Sequence, residues 1–296
     1  MERRQLGKTD IVASVLGFGG SEIGYQDVSG RTVVRLLGSA LDAGLNVIDT
    51  AECYGESEVL IGKAIGARRR EFHLFTKCGH AEGWGRADWR LTPLLASIER
   101  SLRRLATDHV DLIQLHSCSL DHLRKGDAIT ALERARERGW VRYIGYSGDG
   151  DAARYAIESG RFDTLQTSVS IADQEAIELT LPLARARGMG VIAKRPLANV
   201  AWSYTRRPSE PYYETYWSRL RTLDYPFLRS DTAVGTALRL TLSAPGVHTA
   251  IVGTTKPDRW QQNAALLQAG ALPREELERI HARWRDVAKT SWVGQV

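Results

Sequence analysis

The sequence predicts an α/β fold, a (β/α)8 TIM barrel with an N-terminal β-hairpin and a long loop after the seventh strand. Three observations lead there. Short apolar runs rich in Val, Ile and Leu alternate with longer segments of helical period. The alternation repeats eight times, which implies a parallel sheet closed on itself. The length, 296 residues, suits one barrel, so residues 1–296 are read as a single domain.

Taken in order, residues 1–14 read as a small hairpin turning at Gly7-Lys8 and plugging the barrel floor. The barrel strands are expected at 15–19, 46–49, 73–77, 110–116, 143–147, 164–168, 190–194 and 249–253. A helix over 31–43 carries Val34, Leu37, Ala40 and Leu41 on one face, with Gly44 as its C-cap. Segments 92–105, 128–138 and 232–242 read similarly, with Thr92 and either Asp231 or Thr232 as N-caps. Residues 197–230 break the rhythm. They are rich in Pro and aromatics, including Trp202, Tyr204, Tyr212, Tyr213, Tyr216, Trp217 and Tyr225. A long loop within a compact domain is usually functional. These aromatics either cover a ligand or pack the segment onto neighbouring helices.

The net charge of +5 does not point to nucleic acid, because basic residues are interleaved with acids, as in Glu133-Arg134-Ala135-Arg136-Glu137-Arg138. Arg68-Arg69-Arg70 and Arg103-Arg104 fall near helix ends, where cations complement the dipole. No apolar stretch approaches the roughly 18 residues of a membrane span. The first residues, Met1-Glu2-Arg3-Arg4-Gln5, lack the apolar core of a secretory signal, so a cytoplasmic location is expected. No residue pattern reports an oligomeric state. Cys53, Cys78 and Cys118 follow the second, third and fourth strands, near His80 and His116. That raises a thiolate–imidazole metal site, but small apolar fillers around a pocket are the favoured reading, with no metal.

Asp49, Tyr54, Lys77 and His116 stand at or just after the C-terminal ends of three different strands. Parallel α/β proteins build their sites there, where loops vary and the sheet fixes geometry. A free Tyr is a poor acid near neutrality, and a nearby cation such as Lys77 is expected to lower its pKa. Asp49 would hold Lys77 aimed, and His116 would orient a carbonyl oxygen. The set can move a proton to or from an oxygen but has no nucleophile–base pair, so a hydride-carrying cofactor is its natural complement.

Asp49-Thr50-Ala51-Glu52-Cys53-Tyr54-Gly55 resembles the DTAxxYG motif of the aldo-keto reductase superfamily, and Phe75-Thr76-Lys77 and Leu115-His116-Ser117 match its Lys and His positions in order. The similarity continues through 139–147 to the segment 253–263 and covers nearly the whole barrel. It implies that Tyr54, Asp49, Lys77 and His116 are a catalytic tetrad, with Tyr54 as proton donor in NADP(H)-dependent reduction of an aldehyde or ketone, or the reverse. It further implies cofactor contacts from Gly19 and Gly20, from Ser147 and Gln166 to the carboxamide, and from Pro196, Leu197, Ala198 and Asn199 around the pyrophosphate. In Gly253-Thr254-Thr255-Lys256-Pro257-Asp258-Arg259-Trp260-Gln261-Gln262-Asn263, it places Gly253 and Thr255 at the cofactor. There Thr254 and Arg259 would hold the 2′-phosphate, and Gln262 and Asn263 the adenine.

Several positions depart from that pattern. Gly148 follows Ser147 where Asn is usual, Val169 stands near the place of a stacking aromatic, and Lys194-Arg195 precede Pro196. Those two cations are read as partners for the pyrophosphate or an acidic substrate, or else as exposed strand-end residues. The substrate is a small carbonyl compound or alcohol, with Ile23, Tyr25, Trp84 and Trp89 as candidate pocket walls. Two rival readings are a nicotinamide-binding regulatory subunit resembling channel β-subunits and a metal-dependent barrel hydrolase, the latter disfavoured because no early His-x-His pair is present.

Overall fold

The computed structural model describes residues 1–295. A two-stranded antiparallel hairpin, β1 (Arg3–Gln5) and β2 (Val12–Ser14), precedes the barrel strands. These are β3 (Leu16–Gly19), β4 (Val47–Asp49), β5 (His73–Cys78), β6 (Val110–His116), β7 (Val141–Ser147), β8 (Thr164–Ser168), β9 (Gly190–Lys194) and β10 (Thr249–Gly253). They are parallel, lie in sequence order, and close where β10 pairs with β3. All eight coincide with the expected strands to within two residues. The helices are α1 (Ser21–Tyr25), α2 (Gly30–Asp42), α3 (Ser57–Ile65), α4 (Leu91–Arg104), α5 (Leu120–Lys125), α6 (Asp127–Glu137) and α7 (Gly150–Ser159). They continue as α8 (Glu175–Leu179), α9 (Leu181–Ala186), α10 (Pro211–Leu223), α11 (Ala233–Ser243), α12 (Arg259–Leu266) and α13 (Arg274–Val287). No helix is long and apolar enough to cross a membrane among the described residues.

The hairpin closes the floor of the barrel. Its Leu6, Ile11 and Ala13 join Val47, Phe75, Leu112 and Ile192 in a buried cluster inside the strands. Gly7 allows the close fit: at φ +60° it lies where any side chain would overlap the backbone of Met189 and Gly190. Lys8 N–H then bonds the Gly188 carbonyl at 2.9 Å. The larger apolar core lies between strands and outer helices.

Three local expectations need correction. Helix α2 buries Leu37, Ala40 and Leu41 as expected, together with Val33 and Leu36, whereas Val34 is exposed. Its cap is Ala43, and Gly44 follows at φ +98°. Helix α4 begins behind Arg90, whose N–H bonds Asp88 Oδ1 at 3.1 Å, so Thr92 lies inside the helix rather than at its cap. Thr232 does stand at the cap of α11. Finally, residues 197–230 are not a structureless loop. They hold two 3-10 turns and the 13-residue α10, which starts at Pro211, pre-set for a first helical turn. Tyr216 and Tyr225 from this segment are buried, while Tyr204 and Tyr212 stay exposed.

Strand register positions the site. Gly253 pairs with Gly19, Gly19 with Asp49, Lys77 with Gln114, His116 with Ser147, and Ser147 with Gln166. Residues from 19 (Ser147 and Gln166) to 234 (Gly19 and Gly253) positions apart in the chain thereby meet on the C-terminal rim.

Candidate active site

Asp49 is the hub of the rim. Its Oδ1 accepts from Lys77 Nζ, and its Oδ2 accepts from Gln114 Nε2 at 3.2 Å and Gln166 Nε2 at 3.0 Å. Lys77 Nζ also donates to the Thr50 carbonyl at 2.8 Å. Both ion-pair partners are about 1% exposed, so the pair is fully enclosed. Gln114 was not anticipated, although the two-residue period of a strand puts it on the same face as His116. Ser147 Oγ donates to Gln166 Oε1 at 2.9 Å, tying these two residues to the same network.

Tyr54 reaches the rim on a turn pressed against α1. Gly55 holds φ +49° there, beside the Gly24 carbonyl, and any side chain at Gly24 would overlap the Tyr54 carbonyl. The glycines on both sides thus fix where the phenol points. The Tyr54 ring meets His116 edge-on at 5.6 Å, and Lys77 Nζ lies 5.1 Å from its centroid. Cys53 Sγ stands 3.5 Å from His116 Nδ1. His80, considered in the sequence only as a metal ligand, bonds the His116 carbonyl at 2.8 Å through Nε2 and stacks on Trp84 at 4.6 Å. Trp84 in turn lies 4.9 Å from the His116 ring.

The other expected pocket walls divide. Tyr25 is exposed beside the cavity, its ring 5.9 Å from Tyr54 and its hydroxyl donating to the Cys53 carbonyl at 2.8 Å. Ile23 faces the apolar core instead of the cavity, because the turn of α1 directs it inward. Trp89 is also core, seated on Gly79, whose lack of a side chain makes room for the indole.

Burial pushes the Tyr54 phenol well above its usual pKa, the Asp49 charge adds to this, and Arg195 opposes it. The expected net lowering by Lys77 does not result, since burial and the Asp49 charge outweigh the nearby cations. Burial together with Lys77 and His80 pushes His116 well below the usual imidazole value. Near neutrality the site therefore presents a protonated phenol and a neutral imidazole. Burial raises the Asp49 carboxyl, with Lys77 opposing.

Gly19, Tyr54, Trp84, His116, Ser147, Gln166, Pro196, Leu197, Asn199 and Gly253 line one cavity of about 190 Å³, with Glu22, Lys194, Arg195, Tyr212 and Tyr213 among its other walls. Gly20 lies behind it, packed against Ser57 and bonded to the Asp49 carbonyl at 2.8 Å. Ala198 is buried at φ +43°. Gly148 has a local reason: a side chain there would overlap the Tyr146 hydroxyl, which donates to the Cys118 carbonyl at 2.9 Å. Val169 belongs to the apolar core and offers the cavity no contact. Lys194 is buried and Arg195 half-buried, so neither is an exposed strand-end residue.

Thr254, Thr255, Arg259, Gln262 and Asn263 lie outside this cavity, on the loop and first turns after β10. Thr254 Oγ1 accepts from Lys256 N–H at 3.1 Å, and Thr255 Oγ1 bonds Gln26 at 3.2 Å. Arg259 is exposed at the first position of α12, where the helix dipole adds to its attraction for an anion. Asn263 is buried with its Nδ2 lacking a partner. No cluster of three or more His, Cys, Asp or Glu suited to a metal occurs among the described residues.

A model of the aldo/keto reductase family matches residues 15–285. The L-galactose dehydrogenase of Arabidopsis thaliana is 26% identical over 316 residues, covering 99% of this chain and 97% of that protein. The NADH-specific methylglyoxal reductase of Escherichia coli (strain K12) is 30% identical over 222 residues, 67% of this chain and 68% of its own. Among solved structures, the aldo-keto reductase AKR11C1 from Bacillus halodurans in its holo form superposes with a TM-score of 0.84 at 28% identity, covering 99% of both chains.

Proposed function

The chain belongs to the aldo/keto reductase family of oxidoreductases, and from that premise we propose that it interconverts an aldehyde or ketone and its alcohol with NADP(H), Tyr54 moving the proton. The observation that carries this reading is the rim network, in which the Tyr54 phenol and the His116 imidazole line one cavity and the enclosed Asp49–Lys77 pair lies beside the Tyr54 ring.

In the reducing direction, the carbonyl oxygen sits between Tyr54 and His116. The neutral imidazole donates a hydrogen bond to it and the phenol gives up its proton as negative charge develops. An alkoxide is a far stronger base than a phenolate, so this transfer runs downhill even from a phenol whose pKa burial has raised. Trp84 and Tyr213 supply aromatic wall to the cavity beside them. The cofactor, when bound, supplies or accepts the hydride. Ser147 and Gln166 in the cavity wall would hold its carboxamide, and the partnerless Nδ2 of buried Asn263 fits an adenine acceptor.

Because Tyr54 is held above its usual value and His116 below, neither changes charge between about pH 7 and about pH 9. The expected kcat for carbonyl reduction is flat across that window. A break inside it would remove one of these residues from its role.

Family membership does not choose between NADPH and NADH, as the name of the E. coli relative illustrates. The choice rests on Arg259, whose guanidinium matches a 2′-phosphate in fork geometry. Arg259→Ala is expected to weaken NADPH by roughly ten- to a hundredfold, the worth of one charge-assisted bond of about 1.5–3 kcal/mol, and NADH hardly at all. Equal losses would place the arginine elsewhere. The names of the relatives set the first substrate panel, namely sugars and small dicarbonyls. Carbonyl-dependent oxidation of NADPH is the expected outcome.

A further inference from the structure

The last described residues of the chain run beside the cavity that the reaction would use and bond two of its wall residues, Lys194 and Arg195. Beyond α13, the Trp292 ring packs 5.5 Å from Trp284 and under the Arg219 guanidinium at 5.4 Å. Arg219 Nη2 donates to the Val293 carbonyl at 2.8 Å. Gly294 then passes so close to Asp149 and Ser168 that any side chain would overlap both. The Gln295 carbonyl accepts from Arg195 Nη1 at 2.5 Å and Lys194 Nζ at 3.3 Å.

Those two cations are aimed with care. Lys194 is held by Asp149 at 2.8 Å, and Asp149 is itself fixed by Thr167 Oγ1 and Ser168 N–H at 2.7 Å each. Arg195 donates through Nε to the Tyr212 hydroxyl at 3.1 Å. It does so from φ +55°, a left-handed backbone that a non-glycine residue keeps only where its surroundings over-determine it. Two converging cations on a cavity wall suit an anionic oxygen, yet they face a neutral amide carbonyl from the chain itself. The cavity left beside it, about 190 Å³, falls short of the roughly 300–1,000 Å³ usual for small-molecule sites.

We propose that residues 292–295 form a displaceable strap over an anion site made by Lys194 and Arg195, the Gln295 carbonyl standing where a phosphate or carboxylate oxygen of the ligand binds. Trp292 and Val293 are the anchor, and Gly294 and Gln295 the part that lifts. The bonds to the Gln295 carbonyl have charged donors only, whereas an anionic oxygen adds full ion-pair attraction to both cations, so it displaces the strap. Until then the strap lowers apparent affinity by the fraction of molecules that are open. Which ligand brings the oxygen, the pyrophosphate of a dinucleotide or the carboxylate of an acidic substrate, rests on the proposed function. The strap itself does not.

Calorimetric titration with inorganic pyrophosphate, with pyruvate and with uncharged propanal tests this on the full chain, on Gly294→Val and on a chain lacking residues 294–296. Both variants keep the Trp292 anchor. Both are expected to bind one of the anions about tenfold more tightly than the parent, as for a strap closed about nine-tenths of the time, with propanal unchanged. Adding Arg195→Met to the shortened chain should abolish the gain. A gain with pyrophosphate assigns the site to the cofactor, and a gain with pyruvate assigns it to the substrate. Unchanged or weaker anion binding in both variants, or none in any chain, overturns the strap. None of these readouts uses turnover, so an anion gain in a protein that reduces no carbonyl would sink the proposed function and leave the strap standing.

Discussion

Tyr54→Phe is expected to lower carbonyl reduction by about 10²- to 10⁴-fold, the usual contribution of a positioned proton donor, while NADPH binding stays nearly intact. The separation follows from geometry. The phenol ring packs against His116 and lies beside Lys77, contacts that Phe reproduces, so only the hydroxyl is lost. Initial rates with a responsive carbonyl, paired with a tryptophan-fluorescence titration of NADPH, separate the two effects. Reduction that survived the substitution would mean that another group, with His116 the first suspect, delivers the proton.

Lys77→Met is expected to be the most destabilising single change at the rim. It leaves the Asp49 carboxylate enclosed with only the amides of Gln114 and Gln166 as donors. Breaking a buried ion pair by removing one partner costs about 3–5 kcal/mol, because the remaining charge is left without compensation. Denaturant unfolding measures the loss, and adding Asp49→Asn to the same chain should recover part of it by removing that charge. A loss under about 1 kcal/mol for the single variant would show that the two amides alone satisfy Asp49, and the pair would then be a matter of chemistry rather than stability.

What could be read from the sequence was what repeats with a short period. The strands alternate or run apolar, and the residues at their ends are fixed by register, so Asp49, Lys77, His116, Ser147 and Gln166 could be placed on one rim before any coordinates. Gln114 carried the same signal and was passed over. Helix faces were less secure, since one residue turns a helix by about 100°, and Val34 was assigned to a face that Val33 occupies. The electrostatics were not legible at all. Whether a nearby cation lowers the phenol, or burial and the Asp49 charge raise it, depends on distances of a few ångströms. Contacts from remote, irregular chain were equally hidden. Nothing periodic in Trp292-Val293-Gly294-Gln295 announces that Gly294 will slide past Asp149, or that the Gln295 carbonyl will meet Arg195.

The measurement closest to the central claim is transfer of deuterium from NADPH labelled at C4 to the carbonyl carbon of a substrate, read by mass spectrometry of the alcohol formed. One deuterium at the carbinol carbon, formed with the parent protein and about 10²- to 10⁴-fold more slowly with Tyr54→Phe, is the result this account predicts. Saturable NADPH binding with no labelled alcohol from any sugar, aldehyde or dicarbonyl would contradict it, and would favour a protein that binds the nucleotide without turning it over.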